Sequence, residues 1–272
     1  MTHLPLEICQ MIVQNVSDDR PTLTALLLVS KNFLNEACRE LYKTIYVRAG
    51  QTRNRLPLNN PIKRSYYGSL VRSLTFEPRV FYHTNVRQIL LSTSNLKELH
   101  LLDQRLKNNV PQLLRTDYTF QLTALTVHAR FNTKLLAFFL THSEIRVLAW
   151  NPIDLADAVP SFVDGQPILP KVVSLKTSSS ILDSPWFDQQ VTVRHLWLAS
   201  HPWAYVSFDR QQTEASRRVT SVRFPLGAPI PYLNRITMLF PNLRYLDVRH
   251  TGVSTPVALG NTLKTEFNSS TM

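Results

Sequence analysis

The chain has 272 residues, 44% hydrophobic and 18% charged, so it can form a folded core and is not disordered throughout. With 30 Lys and Arg against 19 Asp and Glu, the net charge is +11, which suits nucleic acid, an anionic membrane or an acidic protein as a partner. No apolar run approaches the roughly 18 residues of a transmembrane helix, and the first residues lack the pattern of a secretory signal. Two cysteines, Cys9 and Cys38, are too few for a disulfide framework or a structural zinc site. We therefore expect an intracellular protein with two buried thiols. The sequence does not distinguish a cytoplasmic from a nuclear location.

Residues 4 to about 43 have the apolar spacing of three short helices. Pro5 suits the first helical turn, because proline lacks the N–H that has no intrahelical partner there. After the first helix, Asp18 or Asp19 can cap the second and Pro21 can open it. Three short helices in 40 residues bury little surface, so we expect them to pack on the rest of the chain, on a partner, or on both. The apolar positions are Leu6, Ile8, Cys9, Ile12, Val13 and Val16, then Leu23, Leu26, Leu27, Val29 and Phe33, then Leu34, Ala37, Cys38 and Leu41.

A basic stretch follows the helices. Between Lys43 and Arg72 the sequence contains seven basic residues and no acidic one. We predict a solvated basic linker over 48–69. No aromatic and basic motif of a known nucleic-acid module accompanies it, so nucleic acid is not the expected partner, although a basic solenoid that binds nucleic acid through phosphate contacts remains a third alternative. A membrane is not expected as a partner either.

From residue 70 onward a short apolar unit recurs eight times, at intervals of 21 to 27 residues. Twenty-three of its 24 template positions are apolar, the exception being Thr177, whereas a 44% hydrophobic composition would give about ten or eleven. The second and third apolar positions are two residues apart, so in a strand both side chains point to one face. We predict one strand per unit, with helical returns at 84–93, 133–142, 183–190 and 231–240, all stacked on one core. The pattern is apolar-x-x-apolar-x-apolar, starting at Val71, Leu96, Leu122, Ile145, Val172, Val193, Val219 and Leu243.

Residues 70–252 resemble an irregular leucine-rich-repeat solenoid. The period lies within the range of that family. The Asn or Cys that usually follows the strand is not consistently present, so the resemblance does not imply a regular asparagine ladder.

The N-terminal segment is similar to the F-box motif. The resemblance rests on Leu4-Pro5-Leu6-Glu7-Ile8, on Ile12, and on the run from Pro21 to Phe33. Phe33 stands where Trp is frequent in that motif, and the first interhelical loop is acidic. The segment Leu41–Tyr46 resembles the exit from F-boxes of many fungal proteins that also carry leucine-rich repeats. We expect an α/β fold with a three-helix F-box-like domain at 1–47, the linker at 48–69, a leucine-rich-repeat-like solenoid with a curved parallel sheet at 70–260, and a frayed tail at 261–272.

The resemblance implies a substrate-recognition adaptor for ubiquitin-dependent protein degradation. The F-box would dock on a Skp-type adaptor of a cullin–RING ligase, and the concave face of the repeats would bind a protein substrate. An amphipathic helical face inserting into an apolar groove is a known mode of docking. The matching docking positions are Leu4, Pro5, Ile8, Ile12, Leu26, Val29 and Phe33. Packing within the chain remains an alternative for each of these residues.

The substrate-binding positions follow from strand alternation. Residues flanking the second apolar position point outward, and on the C-terminal units these residues are rich in aromatic and basic types, as binding hot spots are. Coverage of Trp197 by a loop such as 201–203 remains an alternative. The predicted substrate-binding residues are Lys176, His195, Trp197, Arg223, Tyr245 and Arg249.

The sequence contains no motif of a known catalytic site. It lacks a P-loop, Gly-x-Gly-x-x-Gly, His-Glu-x-x-His and Gly-x-Ser-x-Gly. We therefore expect no enzymatic activity, no cofactor and no metal. The alternative function is a leucine-rich-repeat interaction scaffold without a ubiquitin role, in which the N-terminal helices only cap the solenoid.

Overall fold

Three helices open the chain in the computed structural model: α1 (Leu6–Asn15), α2 (Arg20–Leu26) and α3 (Lys31–Lys43). Asp19 caps α2, as predicted, by accepting a hydrogen bond from the Thr22 N–H at 3.2 Å. Pro5 lies just before α1, at its N-cap, and not inside its first turn. The structure describes residues 4–48, 61–77, 86–102, 110–129, 131–150, 162–163, 166–178, 181–182, 184–198, 212–225 and 236–249.

One open, nine-stranded parallel sheet forms the centre of the fold. Eight of its strands are the eight predicted units, and the alignment of the units is confirmed by the register, since the second apolar position of each unit pairs with that of the next. Consecutive strands are neighbours throughout, so the fold is of an open, solenoid-like α/β class. The strands are β1 (Thr44–Val47), β2 (Ser73–Phe76), β3 (Glu98–Leu101), β4 (Ala124–Val127), β5 (Val147–Trp150), β8 (Ser174–Thr177), β9 (His195–Leu198), β10 (Ser221–Pro225) and β11 (Tyr245–Arg249), while β6 (Phe162–Val163) and β7 (Gln166–Pro167) form a separate antiparallel pair.

Short helices return the chain between strands. Within the described residues, each of the four predicted helical segments contains a helix, and each helix is shorter than its predicted segment. In the last segment, 231–240, residues 236–239 are helical. Asn132 and Ser184 cap α7 and α8 with their side chains. The helices are α4 (Pro61–Leu70), α5 (Val86–Ser92), α6 (Val110–Leu113), α7 (Thr133–Thr141), α8 (Pro185–Asp188) and α9 (Glu214–Arg218).

Two apolar cores lie side by side. The larger runs along the sheet from Ile45 to Phe240, between the inward strand residues and the return helices. Its centre is aromatic: the Trp150 ring lies 5.7 Å from Phe139 and 5.9 Å from Trp186, and its indole N–H donates to the Ala129 carbonyl at 3.0 Å. The smaller core joins α1, α2 and α3. Its buried residues are Cys9, Val13, Leu23, Phe33 and Ala37.

The junction between the predicted domains differs from the expectation. Residues 44–47, assigned to the helical domain, form β1 and pair with β2, so the sheet begins before residue 48. Residues 61–69, assigned to the linker, belong to α4, which ends at the first residue of the predicted solenoid. The reason is local: Tyr42, Ile45 and Val47 repeat the apolar spacing of the later units, so β1 adds to the same core. The predicted tail at 261–272 and the residues between 49 and 60 lie outside the described part of the chain.

Candidate functional site

The outward strand residues form two rows across the side of the sheet that faces away from the main core, which we call the open face. One row runs from Tyr46 on β1 through Thr75, His100, Thr126, Ala149, Lys176, Trp197 and Arg223 to Asp247 on β11. The second row runs from Thr44 through Ser73, Glu98, Ala124, Val147, Ser174, His195 and Ser221 to Tyr245. Parallel register brings residues far apart in the sequence into neighbouring positions, about 4.8 Å apart from strand to strand.

Three of the predicted substrate-binding residues contact one another in the first row. The Nζ of Lys176 lies 3.7 Å from the centroid of the Trp197 ring, and the guanidinium carbon of Arg223 lies 5.1 Å from it. Two cations therefore lie beside the same aromatic ring, on the strands to either side of it. The indole remains 37% exposed, so a partner can reach its surface. We call Lys176, Trp197, Arg223 and Asp247 the tryptophan cluster.

Asp247 completes this cluster at the end of the sheet. Its Oδ2 accepts a hydrogen bond from the Nε of Arg223 at 2.7 Å. This ion pair holds the guanidinium beside the ring and leaves one positive charge in excess. Burial lowers the pKa of Lys176, which is consistent with an ammonium group packed on the indole.

The other predicted substrate-binding residues lie near the cluster. His195 and Tyr245 are in the second row, separated by Ser221, and Tyr245 is 67% exposed. Arg249 ends β11, but its side chain lies outside the described part of the structure, as does the loop at 201–203 that could cover Trp197. The structure thus places five of the six predicted residues on one continuous surface.

Small side chains separate the tryptophan cluster from two histidines. Ala149 lies between Lys176 and Thr126, and Thr126 accepts or donates a hydrogen bond to His100 Nδ1 at 2.8 Å. Burial lowers the pKa of His100, and the nearby Glu98 opposes that shift. Burial also lowers the pKa of His128, and the positive charge of Lys176 lowers it further.

A second exposed surface lies on the N-terminal helices. Of the predicted docking residues, Leu4, Pro5, Ile8, Ile12 and Val29 are exposed and Leu26 is half-buried. Phe33 is a correction: it is only 5% exposed, because its ring fills the small core between the three helices. Phe33 supports this apolar surface from beneath and does not form part of it.

Sequence reasoning missed several members of both surfaces. Leu28, 89% exposed, together with Leu6 and Met11, extends the helical surface. Leu28 and Met11 fell between the assigned apolar positions, and Leu6 was assigned to the apolar face of the first helix but not to the docking residues. Tyr46 extends the open face because β1 belongs to the sheet, and the matching spacing of Tyr42, Ile45 and Val47 could have revealed it.

No protein-family model and no curated protein matches the chain. Among the described residues, no group of three or more His, Cys, Asp or Glu side chains is placed to hold a metal ion. Within the same residues, no helix has the length and apolar character needed to cross a membrane.

Proposed function

We propose that the protein is a non-catalytic substrate adaptor of a Skp–cullin–F-box ubiquitin ligase. The N-terminal helices would dock on the Skp-type adaptor, and the open face of a leucine-rich-repeat-like sheet would bind the protein substrate. The adaptor would then increase the effective concentration of substrate near an enzyme carried by another subunit.

The observation that carries this proposal is the exposed apolar surface on a helical unit with its own core. Leu28 and Val29, 89% and 61% exposed, lie in the segment between α2 and α3. A contiguous exposed patch of large apolar side chains typically marks an interaction site. Leu4, Ile8 and Met11 add exposed apolar area along α1. Such a face suits an apolar groove on another protein.

The open face supports the second half of the proposal. A large aromatic ring flanked by Lys and Arg, with Tyr245 exposed nearby, has the composition that dominates the energetics of protein interfaces. An acidic side chain of a substrate would meet the ammonium of Lys176 here, which has no acidic partner among the described residues, since Asp247 pairs with Arg223.

One observation favours the scaffold alternative. Helix α3 runs directly into β1, and the Tyr42 ring lies 4.4 Å from the Tyr67 ring of α4, so the helices also adjoin the end of the sheet. A unit that served only as a cap would show this contact and would need no partner.

Binding to a purified Skp-type adaptor separates the two functions. We expect the full chain to bind it, and Leu28→Asp/Val29→Asp to weaken binding at least about 30-fold, the loss typical of an interface hot spot. The matched control is Leu91→Asp, an exposed apolar residue on α5. Lack of binding by the wild-type chain, or equal loss in the control, would favour the scaffold.

The substrate surface is tested independently. Trp197→Ala should reduce the set of co-purifying proteins while leaving the adaptor bound. Retention of every co-purifying protein would remove the open face from the proposal, whatever the result with the adaptor.

A further inference from the structure

A row of cations lies along the edge of the sheet where the strands begin. In six of the nine strands the residue immediately before the strand is Lys or Arg, whereas Lys and Arg make up 30 of 272 residues and about one such position would be expected by chance. We call this row the basic edge. Its residues are Lys43, Arg72, Lys97, Arg146, Arg194 and Arg244.

Main-chain hydrogen bonds keep this row in line. The N–H of Lys97 donates to the Arg72 carbonyl at 2.8 Å, and the Arg194 carbonyl accepts from Thr220, whose own carbonyl accepts from Arg244, both at 2.9 Å. With neighbouring strands about 4.8 Å apart, nine strands place the cations along roughly 38 Å. The basic edge is therefore a linear array and not a local cluster.

Most of these charges lack an acidic partner among the described residues. Lys43 pairs with Glu40 at 2.9 Å, but the other five make no ion pair there. Two carboxylates near the edge already have partners: Glu144 binds Lys171 at 2.5 Å and Glu214 binds Arg218 at 2.8 Å. Within the described residues, the edge thus carries positive charge without an acidic partner from Arg72 to Arg244.

At one end the edge deepens into a groove of about 490 Å³. Arg194, Arg217, Arg218 and Arg244 line it, with Thr220 and Asn242 between them. The Asn242 amide donates to the Arg217 carbonyl at 2.8 Å, and an Arg194 guanidinium N–H donates to the Val191 carbonyl at 2.9 Å. These bonds hold the Asn242 and Arg194 side chains in place before any ligand binds.

The residue types indicate which anion fits. Four of the five unpaired edge cations are arginines, whose planar guanidinium matches phosphate oxygens in a two-point contact. None of the nine residues that immediately precede the strands is aromatic, so these positions offer no ring for base stacking. A compact phosphate ligand would use the groove alone and leave Arg72, Lys97 and Arg146 without a role.

We propose that the basic edge binds the phosphodiester backbone of nucleic acid without reading its sequence. This departs from the expectation drawn from the sequence, which considered known nucleic-acid motifs. An edge that contacts only phosphates needs no such motif. The proposal does not depend on the adaptor function, because it uses neither the helical surface nor the tryptophan cluster.

The test is fluorescence polarisation of the full chain with labelled 20-nucleotide single strands and 20-base-pair duplexes of two unrelated sequences. We expect similar affinity for the two sequences. For the duplex, five phosphate contacts predict a slope of log K against log salt near −4.5, which is about a 500-fold loss between 50 and 200 mM NaCl. Absence of binding at 50 mM, or a strong preference for one sequence, would overturn the proposal.

Charge-matched variants locate the surface. Arg146→Gln/Arg194→Gln/Arg244→Gln removes three of the five contacts and should make the slope less steep by about 2.7, while Lys31→Gln/Arg115→Gln/Lys134→Gln removes the same charge away from the edge and should leave the slope near the wild-type value. If the first variant fails to fold, Arg72→Gln/Lys97→Gln should reduce the slope by about 1.8. Equal loss in edge and control variants, or tighter binding of a phosphorylated peptide than of nucleic acid at equal salt, would contradict the proposal.

Discussion

The ammonium of Lys176 lies 3.7 Å from the centre of the Trp197 ring, one strand away on the open face. The two residues are 21 positions apart in the sequence and meet because equivalent positions of successive units pair in register. The contact covers part of the indole with an aliphatic and cationic chain, and it covers the ammonium with the ring. Each side chain therefore sets the exposure of the other.

Removing the indole should change the titration of Lys176. Burial holds the pKa of this ammonium below its ordinary value, so Trp197→Ala, which exposes it, should raise the pKa toward that value. The measurement is an NMR titration of the lysine side-chain carbons. Tyr245→Ala, a more exposed aromatic position in the other row, serves as the control. A Lys176 pKa that is the same in Trp197→Ala and the wild type would contradict the packing described.

Strand alternation alone predicted that Lys176, Trp197 and Arg223 share a face, because a period of two and a constant spacing between units fix both register and side. The burial of Phe33 could not be predicted in this way, since a short helix of mixed apolar positions does not reveal which residues face its own core. The basic edge was missed for another reason. Its cations are single residues some two dozen positions apart, and they form a row only once the strands are aligned.

Acid should destabilise the protein through His142. The ring is fully buried between Phe120 and Phe138, neither nitrogen has a hydrogen-bond partner within the described residues, and burial lowers the pKa to about 4. Since the unfolded chain binds this proton near pH 6.5 and the folded chain near pH 4, the contribution of neutral His142 is complete above about pH 6.5 and is lost as pH falls toward 4. The shift corresponds to about 3 kcal/mol.

Urea unfolding at pH 7 and pH 4.5 of the wild type and His142→Leu measures this effect. The variant should lose less stability between the two pH values, because it has no proton to gain at this position. Leu135→Ala, also in the buried core, should lower stability by similar amounts at both. If His142→Leu shows the same pH dependence as the wild type, the buried histidine is not its source.

Gly68 allows α4 and α5 to pack backbone against backbone. A Cβ at this position would overlap the main-chain carbonyl of Ser92, which cannot turn aside as a side chain can. Gly68→Ala should gain up to about 1 kcal/mol in helix propensity, but overlap with the main chain typically costs 1–3 kcal/mol, so we expect a net loss of about 1 kcal/mol. Thermal unfolding against Ser65→Ala, an exposed position one turn earlier, is the measurement. Stabilisation by Gly68→Ala would show that the helices can separate freely.

The three-helix unit should open independently when its small core is damaged. Phe33 packs with Cys9 and Val13 in a core separate from that of the sheet, so Phe33→Ala should destabilise the unit by about 3–5 kcal/mol. Both cysteines are buried in the native chain, and burial raises the pKa of the Cys38 thiol, so both should react slowly with iodoacetamide. In Phe33→Ala, alkylation of Cys9 and Cys38 should accelerate at least about tenfold, because the reactive thiolates become reachable through local opening.

Val29→Ala, at an exposed position of the same unit, should leave the rate within about twofold of the wild type, since surface substitutions change stability by less than about 0.5 kcal/mol. Followed by mass spectrometry of the intact chain, fast labelling in the wild type, or equal acceleration in the two variants, would mean that the helices do not form a packed unit of their own.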